Sequence, residues 1–242
     1  VMSSGDTCII REGHYNEEVL IDGKNDIVIM PYMNEWVVFD GTEAVQSNWT
    51  IYSGNIYKTV LNKHIWQLFV DQKDMVMARW PNGNFLDKSI YNWNSWASGI
   101  VDSANGFQNG SYNGFELVDS TKKDLGSTGL NLTGAIGIMN VGSFKTFNRE
   151  IISHNPQDNY FSYNTIPNNT YRDKHHHFFV EGKLELLDQP NEWFYDTTSM
   201  TLYLYPDNGQ NPNGRIISGK VQDYAFTCLL YTSDAADERT WG

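Results

Sequence analysis

Gly5-Asp6-Thr7-Cys8-Ile9-Ile10-Arg11-Glu12-Gly13-His14-Tyr15 begins a short pattern that Glu18-Val19-Leu20-Ile21 and Ile27-Val28-Ile29 continue. Apolar runs stand at Cys8-Ile10, Val19-Ile21, Ile27-Met30 and Val37-Phe39, about ten residues apart. Gly13-His14-Tyr15, Asp22-Gly23-Lys24-Asn25-Asp26 and Pro31-Tyr32-Met33-Asn34 lie between them and carry turn chemistry. Runs of three or four residues are too short for helices and match strands. Gly5 and Gly13 permit tight corners. Side chains alternate along a strand, so Thr7 and Ile9, and Val19 and Ile21, are expected to point into an interior. Strands at this spacing fit a sandwich, a barrel or the coils of a solenoid, and a single coil cannot bury its own core.

Outward from this pattern the character changes. From about Ser47 to Arg215 aromatics are dense and the short repeat vanishes. Gln67–Arg79 reads as two strands around a polar turn, and Gly134–Met139 as a further strand. Glu192-Trp193-Phe194-Tyr195 and Thr201–Tyr205, joined by Asp196-Thr197-Thr198-Ser199, form a hairpin pattern. Alternation there sets Leu202 and Leu204 against Tyr203 and Tyr205 on opposite faces. Residues 82–129 are rich in Asn, Ser and Gly and read as loop, with one short helix over Asp87–Trp96. After Pro212-Asn213-Gly214 the early pattern returns in Arg215–Val221 and Tyr224-Ala225-Phe226. The expected plan is all-β: residues 1–46 as first coils, 47–214 as an inserted β-rich domain, and 215–227 where the coils resume. Residues 228–238, CLLYTSDAADE, resemble a translated sequencing-library adapter. The native chain is therefore expected to end near Thr227, with 228–242 a non-native tail, and Val1 is expected to follow a missing upstream segment.

These residues carry a resemblance. Gly5-Asp6-Thr7, an apolar run and then Gly13-His14-Tyr15 resemble the opening coils of a right-handed parallel β-helix of the pectin lyase-like superfamily. Leu68–Asp71 through Ala78-Arg79-Trp80-Pro81-Asn82, and Leu186–Asp196 with Leu202–Pro206, resemble a bacterial group of β-helix proteins related to glycoside hydrolases. The resemblance spans about residues 1–226. It implies a β-sandwich or barrel-like insert and hydrolysis of xylosides or galactosides, with the acid and nucleophile on later coils. It implies a polysaccharide or oligosaccharide partner, an extracellular or periplasmic location and no cofactor. β-Helices also host lyases and non-catalytic binding or adhesin modules, so those readings stay open.

Composition narrows the classes further. With 40% hydrophobic and 19% charged residues the chain is not wholesale disordered. Seventeen Lys+Arg against 29 Asp+Glu give a net charge of -12, which repels phosphate backbones and argues against a nucleic-acid partner. No apolar run reaches the ~18 residues of a membrane span.

Candidate chemistry is sparse. Asp22, Asp26 and Asp40 are the carboxylates of the early coils, and all three read as turn or corner residues, so no catalytic residue is assigned. His175-His176-His177 precede Phe178-Phe179-Val180, and successive strand residues face opposite ways, so the three cannot share one metal and no metal site is expected. His177 is kept as a sugar contact. In Arg79-Trp80-Pro81-Asn82, Trp80 can stack on a sugar face and Arg79 offers fixed donors to hydroxyls or carboxylates. The alternative is that Trp80 packs the insert while Arg79 pairs with an acid. Trp193, Tyr195, Tyr203 and Tyr205 read as core and sheet surface.

Overall fold

The computed structural model describes residues 2–46, 48–101, 115–117, 125–142, 145–164 and 177–229. The described chain is all-β: strands in several sheets, with short 3-10 turns and no α-helix. None of the sheets closes on itself. The chain divides into two units, Val1–Ala44 with Ser218–Gly242, and Val45–Ile217.

The first unit contains three two-stranded parallel sheets. Thr7–Ile10 pairs with Val28–Pro31, Cys8 lying opposite Ile29. Gly13–Tyr15 pairs with Val37–Phe39, and Val19–Asp22 pairs with Phe226–Leu229. The first two strands thus find parallel partners in the next stretch of chain, whereas Val19 meets Phe226 only after the whole second unit has intervened. Thr42–Ala44 and Ile217–Lys220 pair antiparallel where the chain leaves and re-enters. Between the three sheets, Ile10, Ile21, Ile29, Val37, Phe39 and Phe226 line an apolar cleft of about 560 Å³.

One expectation is corrected in this unit. In the first strand Cys8 and Ile10 turn inward while Ile9 is 54% exposed, so the phase is one residue off the expected one. Side-chain period is two, so a single-residue shift at the preceding turn inverts the faces. That turn is pinned by Gly5 in the left-handed region (φ 86), its N–H donating to the Asn25 carbonyl at 3.0 Å. Val19 and Ile21 do sit on the more buried side of their strand. The chain returns to the early strands twice: Ile217–Lys220 runs antiparallel to Thr42–Ala44, and Phe226–Leu229 runs parallel to Val19–Asp22. Cys228 and Leu229, the first residues of the expected tail, lie in that second strand, opposite Ile21 and Asp22. Residues 230–242 lie outside the described residues.

The second unit is built on two larger sheets. One runs in the order Phe115–Leu117, Ala97–Val101, His177–Glu181, Ile136–Gly142, Lys145–His154 and Phe161–Tyr163, with Arg79–Trp80 also paired to His177–Glu181. The other runs Val76–Met77, Glu192–Asp196, Thr201–Tyr205, Ile56–Val60 and Thr50–Ser53. A buried cluster around Met139, Ile151, Phe161, Phe178, Val180 and Leu186 comes mainly from the first sheet, and Phe194, Tyr203 and Tyr205 of the second pack onto it. On the other face of the 192–205 hairpin, Trp193, Tyr195, Leu202 and Leu204 are buried. The expected hairpin is present in full register, Glu192 opposite Tyr205 and Asp196 opposite Thr201.

Two local expectations differ from the structure here. Leu68–Val70 and Lys73–Asp74 do form a tight hairpin through Asp71 and Gln72, both at positive φ. Beyond it the chain divides its allegiance: Val76–Met77 joins one sheet and Arg79–Trp80 the other. Ala78 sits between them, fully buried, with its N–H on the Trp193 carbonyl at 2.7 Å. The helix expected over Asp87–Trp96 is two 3-10 turns, Ser89–Tyr91 and Trp93–Ser95. Asn92 between them is extended (ψ 148), which stops one turn from propagating into the other.

Candidate functional site

The fold brings Arg79, Trp80 and His177 to a single strand, His177–Glu181. Arg79 lies opposite Glu181 and Trp80 opposite Val180, while His177 begins the strand. Strand alternation buries Phe178 and Val180 in the core and sends His177, Phe179 and Glu181 to the other face. Arg79 covers that face, its guanidinium 3.6 Å from the centre of the Phe179 ring. Its Nε donates to the Pro81 carbonyl at 3.0 Å and its Nη2 to the Ser95 carbonyl. At 4% exposure Arg79 is a buried brace with no face toward a ligand. Trp80 is half-buried and packs on the core cluster, 6.2 Å from Phe178. His177 is half-buried, and its ring lies 4.6 Å from that of Trp93. His175 and His176 lie outside the described residues.

The brace holds a loop. Ser95, at the end of the second 3-10 turn, is fastened by the Arg79 guanidinium at its carbonyl. Its hydroxyl donates to the carbonyls of Ile90 (2.9 Å) and Asn92 (2.8 Å). The Ser89 hydroxyl accepts from the Asn84 N–H at 2.9 Å, and the Asp87 carboxylate accepts from the Ser89 N–H at 2.8 Å. Asn82 and Asn84 tie the loop to the 188–190 turn through the Asp188 carboxylate and the Pro190 carbonyl. Gly83 is required by closeness: a Cβ there would stand 2.9 Å from the Ser95 Cβ and 3.0 Å from the Ile90 Cα. On this fixed loop two rings face solvent, Tyr91 at 75% and Trp93 at 72% exposure. Sequence reading passed over both; the signal available was Tyr91-x-Trp93 in an otherwise Asn- and Ser-rich segment.

Two carboxyls flank the brace. Burial raises the Glu181 pKa, opposed by the Arg79 charge. Glu192 is 2% exposed; its Oε2 accepts the N–H groups of Asp188 and Gln189, both at 3.3 Å, and its Oε1 has no partner. Burial, with the nearby Asp188 charge, pushes the Glu192 pKa up to about 8. Burial also draws Arg79 down to about 10, against the pull of Glu181 and Glu192, so it stays protonated at neutral pH. A carboxylic acid kept neutral at pH 7 is the type of group that protonates a leaving oxygen. Glu192, however, is enclosed beneath its turn and closed to a polymer. Neither Glu was singled out from sequence. The hint was that Glu192 shares a strand face with the inward-packing Phe194.

Asp26 sits in a turn at positive φ, and Asp40 accepts the Thr42 N–H at 2.9 Å across a corner, so both serve local backbone geometry. Among the described residues no three His, Cys, Asp or Glu side chains form a metal-sized cluster. No described helix is long and apolar enough to cross a membrane.

No protein-family profile matches the chain, and no curated protein matches its sequence. Solved structures align with most of the chain. One named "Glycoside hydrolase" aligns with a TM-score of 0.60 at 18% identity over 92% of this chain and 40% of its own. Another, "The complex structure of XylC with xylose", aligns at 0.34 and 13% identity over 93% of this chain and 28% of its own. The chain thus spans about two-fifths of the length of the first structure and is similar to it in fold.

Proposed function

We propose that this chain is part of a carbohydrate-active enzyme of the glycoside hydrolase type, in which the first unit supplies opening coils of a parallel β-helix and the second an inserted sugar-contacting domain. The observation that carries this is the fold likeness over 92% of the chain to a structure named a glycoside hydrolase. The parallel pairing of three early strands, each with a later one, supports the β-helix reading. Glycosidases act through two carboxyls facing each other across the scissile bond, about 5–10 Å apart. The early carboxylates Asp26 and Asp40 hold turns, and Glu192 is enclosed, so in this reading the catalytic pair stands on further coils. His177, on the face of its strand away from the core, belongs in this reading to the side of the insert that meets the glycan, while Trp80 packs on the core. Polymeric substrates do not cross membranes, so the reading carries an extracellular or periplasmic location with it.

Binding and turnover separate this reading from its rivals. Affinity electrophoresis and calorimetry of the chain against xylan and galactan fragments are expected to give binding without hydrolysis of aryl glycosides. Hydrolysis lost on mutating a carboxylate of this chain would overturn the assignment of catalysis to further coils. Absence of binding to any neutral glycan would overturn the carbohydrate reading itself.

A further inference from the structure

We infer that Tyr91 and Trp93, held on the loop above His177, form a stacking platform for the pyranose rings of a neutral oligosaccharide. The inference deepens the carbohydrate reading above and rests on it. Three observations meet at this place. The first is exposure: two large rings face solvent on consecutive 3-10 turns, two residues apart in sequence. The second is rigidity. Three side-chain oxygens of Ser89, Ser95 and Asp87, the buried Arg79 guanidinium and the close approach at Gly83 all fix the backbone that carries the rings. The loop that carries these exposed rings is itself held in place. This lowers the ordering cost of binding, because the rings are already in place.

The third observation is chemical setting. The rings stand among exposed Asn92, Asn94, Asp87 and Lys88, with Leu86 the exposed apolar neighbour in the same loop. A pyranose ring has an apolar C–H face and a rim of hydroxyls. The C–H face suits the negative face of an aromatic ring, and the hydroxyl rim suits amide donors and acceptors. Trp93 is further positioned by His177, whose ring lies 4.6 Å away with the planes at 46°. Net charge selects among glycans. At -12 the protein repels polyuronides, so the ligand is neutral, of the xylan or galactan kind rather than pectate.

The test is calorimetry of the whole chain against neutral xylo- and galacto-oligosaccharides and against oligogalacturonate, with Trp93→Ala, Tyr91→Ala and, as a control on another part of the unit, Trp66→Ala. Trp93→Ala is expected to weaken binding of the preferred neutral oligosaccharide about tenfold or more, the loss of one good contact. Tyr91→Ala is expected to weaken it severalfold, Trp66→Ala not at all, and Trp93→Phe to recover most of the affinity. Circular dichroism and Tm of the variants are expected to match the parent, since both rings lie outside the core. Neutral-glycan binding by the parent that survives Trp93→Ala and Tyr91→Ala unchanged would overturn the platform while leaving the carbohydrate reading standing. Equal or tighter binding of oligogalacturonate would overturn the assignment of a neutral ligand. Failure of the parent to bind any glycan would remove both.

Discussion

Arg79 takes its charge into the interior, where an unpaired guanidinium would be strongly unfavourable, and its surroundings answer that charge from several sides. The Pro81 and Ser95 carbonyls accept its protons, the Phe179 ring lies beneath it, and the Glu181 carboxyl lies close by. Arg79→Ala is expected to destabilise the second unit by about 3–5 kcal/mol, because it strands Glu181 and frees the Ser95 loop. Arg79→Lys should recover only part of this, since an ammonium cannot serve both carbonyls and stack on Phe179. Chemical denaturation of the variants reads both. Glu192 yields a prediction of opposite sense. Its folded pKa of about 8 exceeds the ordinary 4.5, so between those values the folded state holds a proton that the unfolded chain releases. Its contribution is fully favourable below about pH 4.5, is lost as pH rises toward 8, and is constant above. Glu192→Gln, which keeps the shape without the ionisation, is expected to leave Tm near its parent value at pH 4.5. At pH 8.5 it should raise stability by an amount on the order of a few kcal/mol. A Tm gap between parent and variant that does not widen with pH would contradict this.

At the scale of elements, two junctions carry testable weight. Arg215, where the chain ends its long excursion, donates to the Asp71 carboxylate at 2.8 Å and to Asp207 at 2.5 Å, while Asp71 also accepts the Ile216 N–H at 3.1 Å. The hydrogen bonds from Arg215 hold both carboxyls below the ordinary aspartate value of 3.8. Their contribution is therefore present above about pH 3.8 and lost as pH falls through the folded values. Arg215→Gln is expected to cost about 1 kcal/mol at neutral pH, the pair being partly solvated, and almost nothing at pH 2. The second junction is the 82–96 loop. Gly83→Ala would drive a methyl against Ser95 and the Ile90 backbone, and is expected to cost about 1–3 kcal/mol. It should also speed amide exchange at Ser89–Ser95, which hydrogen-exchange mass spectrometry would detect. The strands themselves were legible from sequence wherever alternation and turn chemistry coincide, as in Glu192–Asp196 and Thr201–Tyr205. The loop was not, because 3-10 turns leave no hydrophobic period, and its order comes from Asn, Ser and Asp side chains bonding to nearby backbone.

Over the whole molecule the two units differ in kind. Every fully buried apolar side chain among the described residues lies between Trp49 and Ile217, and none lies in the first unit. That unit leaves its apolar cleft open and exposes Leu20, Met30 and Trp36. Hydrogen exchange is therefore expected to be fast for the amides of Thr7–Ile10 and Val28–Pro31 and slow for Glu192–Asp196 and Thr201–Tyr205, with two steps on heating. A single cooperative transition with uniform protection would show that the first unit is as well packed as the second. The acidic surface sets solubility: with a sequence pI near 4.8, aggregation should peak about there and decline toward neutral pH, which light scattering across a pH series checks.

Local chemistry determined much of this protein. Turn residues and short apolar runs marked the early strands, the 192–205 hairpin and the all-β class, because period and punctuation act within a few residues of chain. Arg79, Trp80 and His177 were picked out as candidates from side-chain chemistry, and the structure buries the first and packs the second on the core. Their meeting on one strand could not be read from that chemistry, since a hundred residues separate them and periodicity carries no address for a partner. For the same reason only the tertiary structure decided that Val19 pairs with Phe226, that Met75–Trp80 splits between two sheets, and that Cys8 rather than Ile9 faces inward. Burial of Arg79 and Glu192 was likewise a tertiary outcome. The charge of a side chain is written in the sequence, but the water removed from it is set by whatever the rest of the chain packs over it.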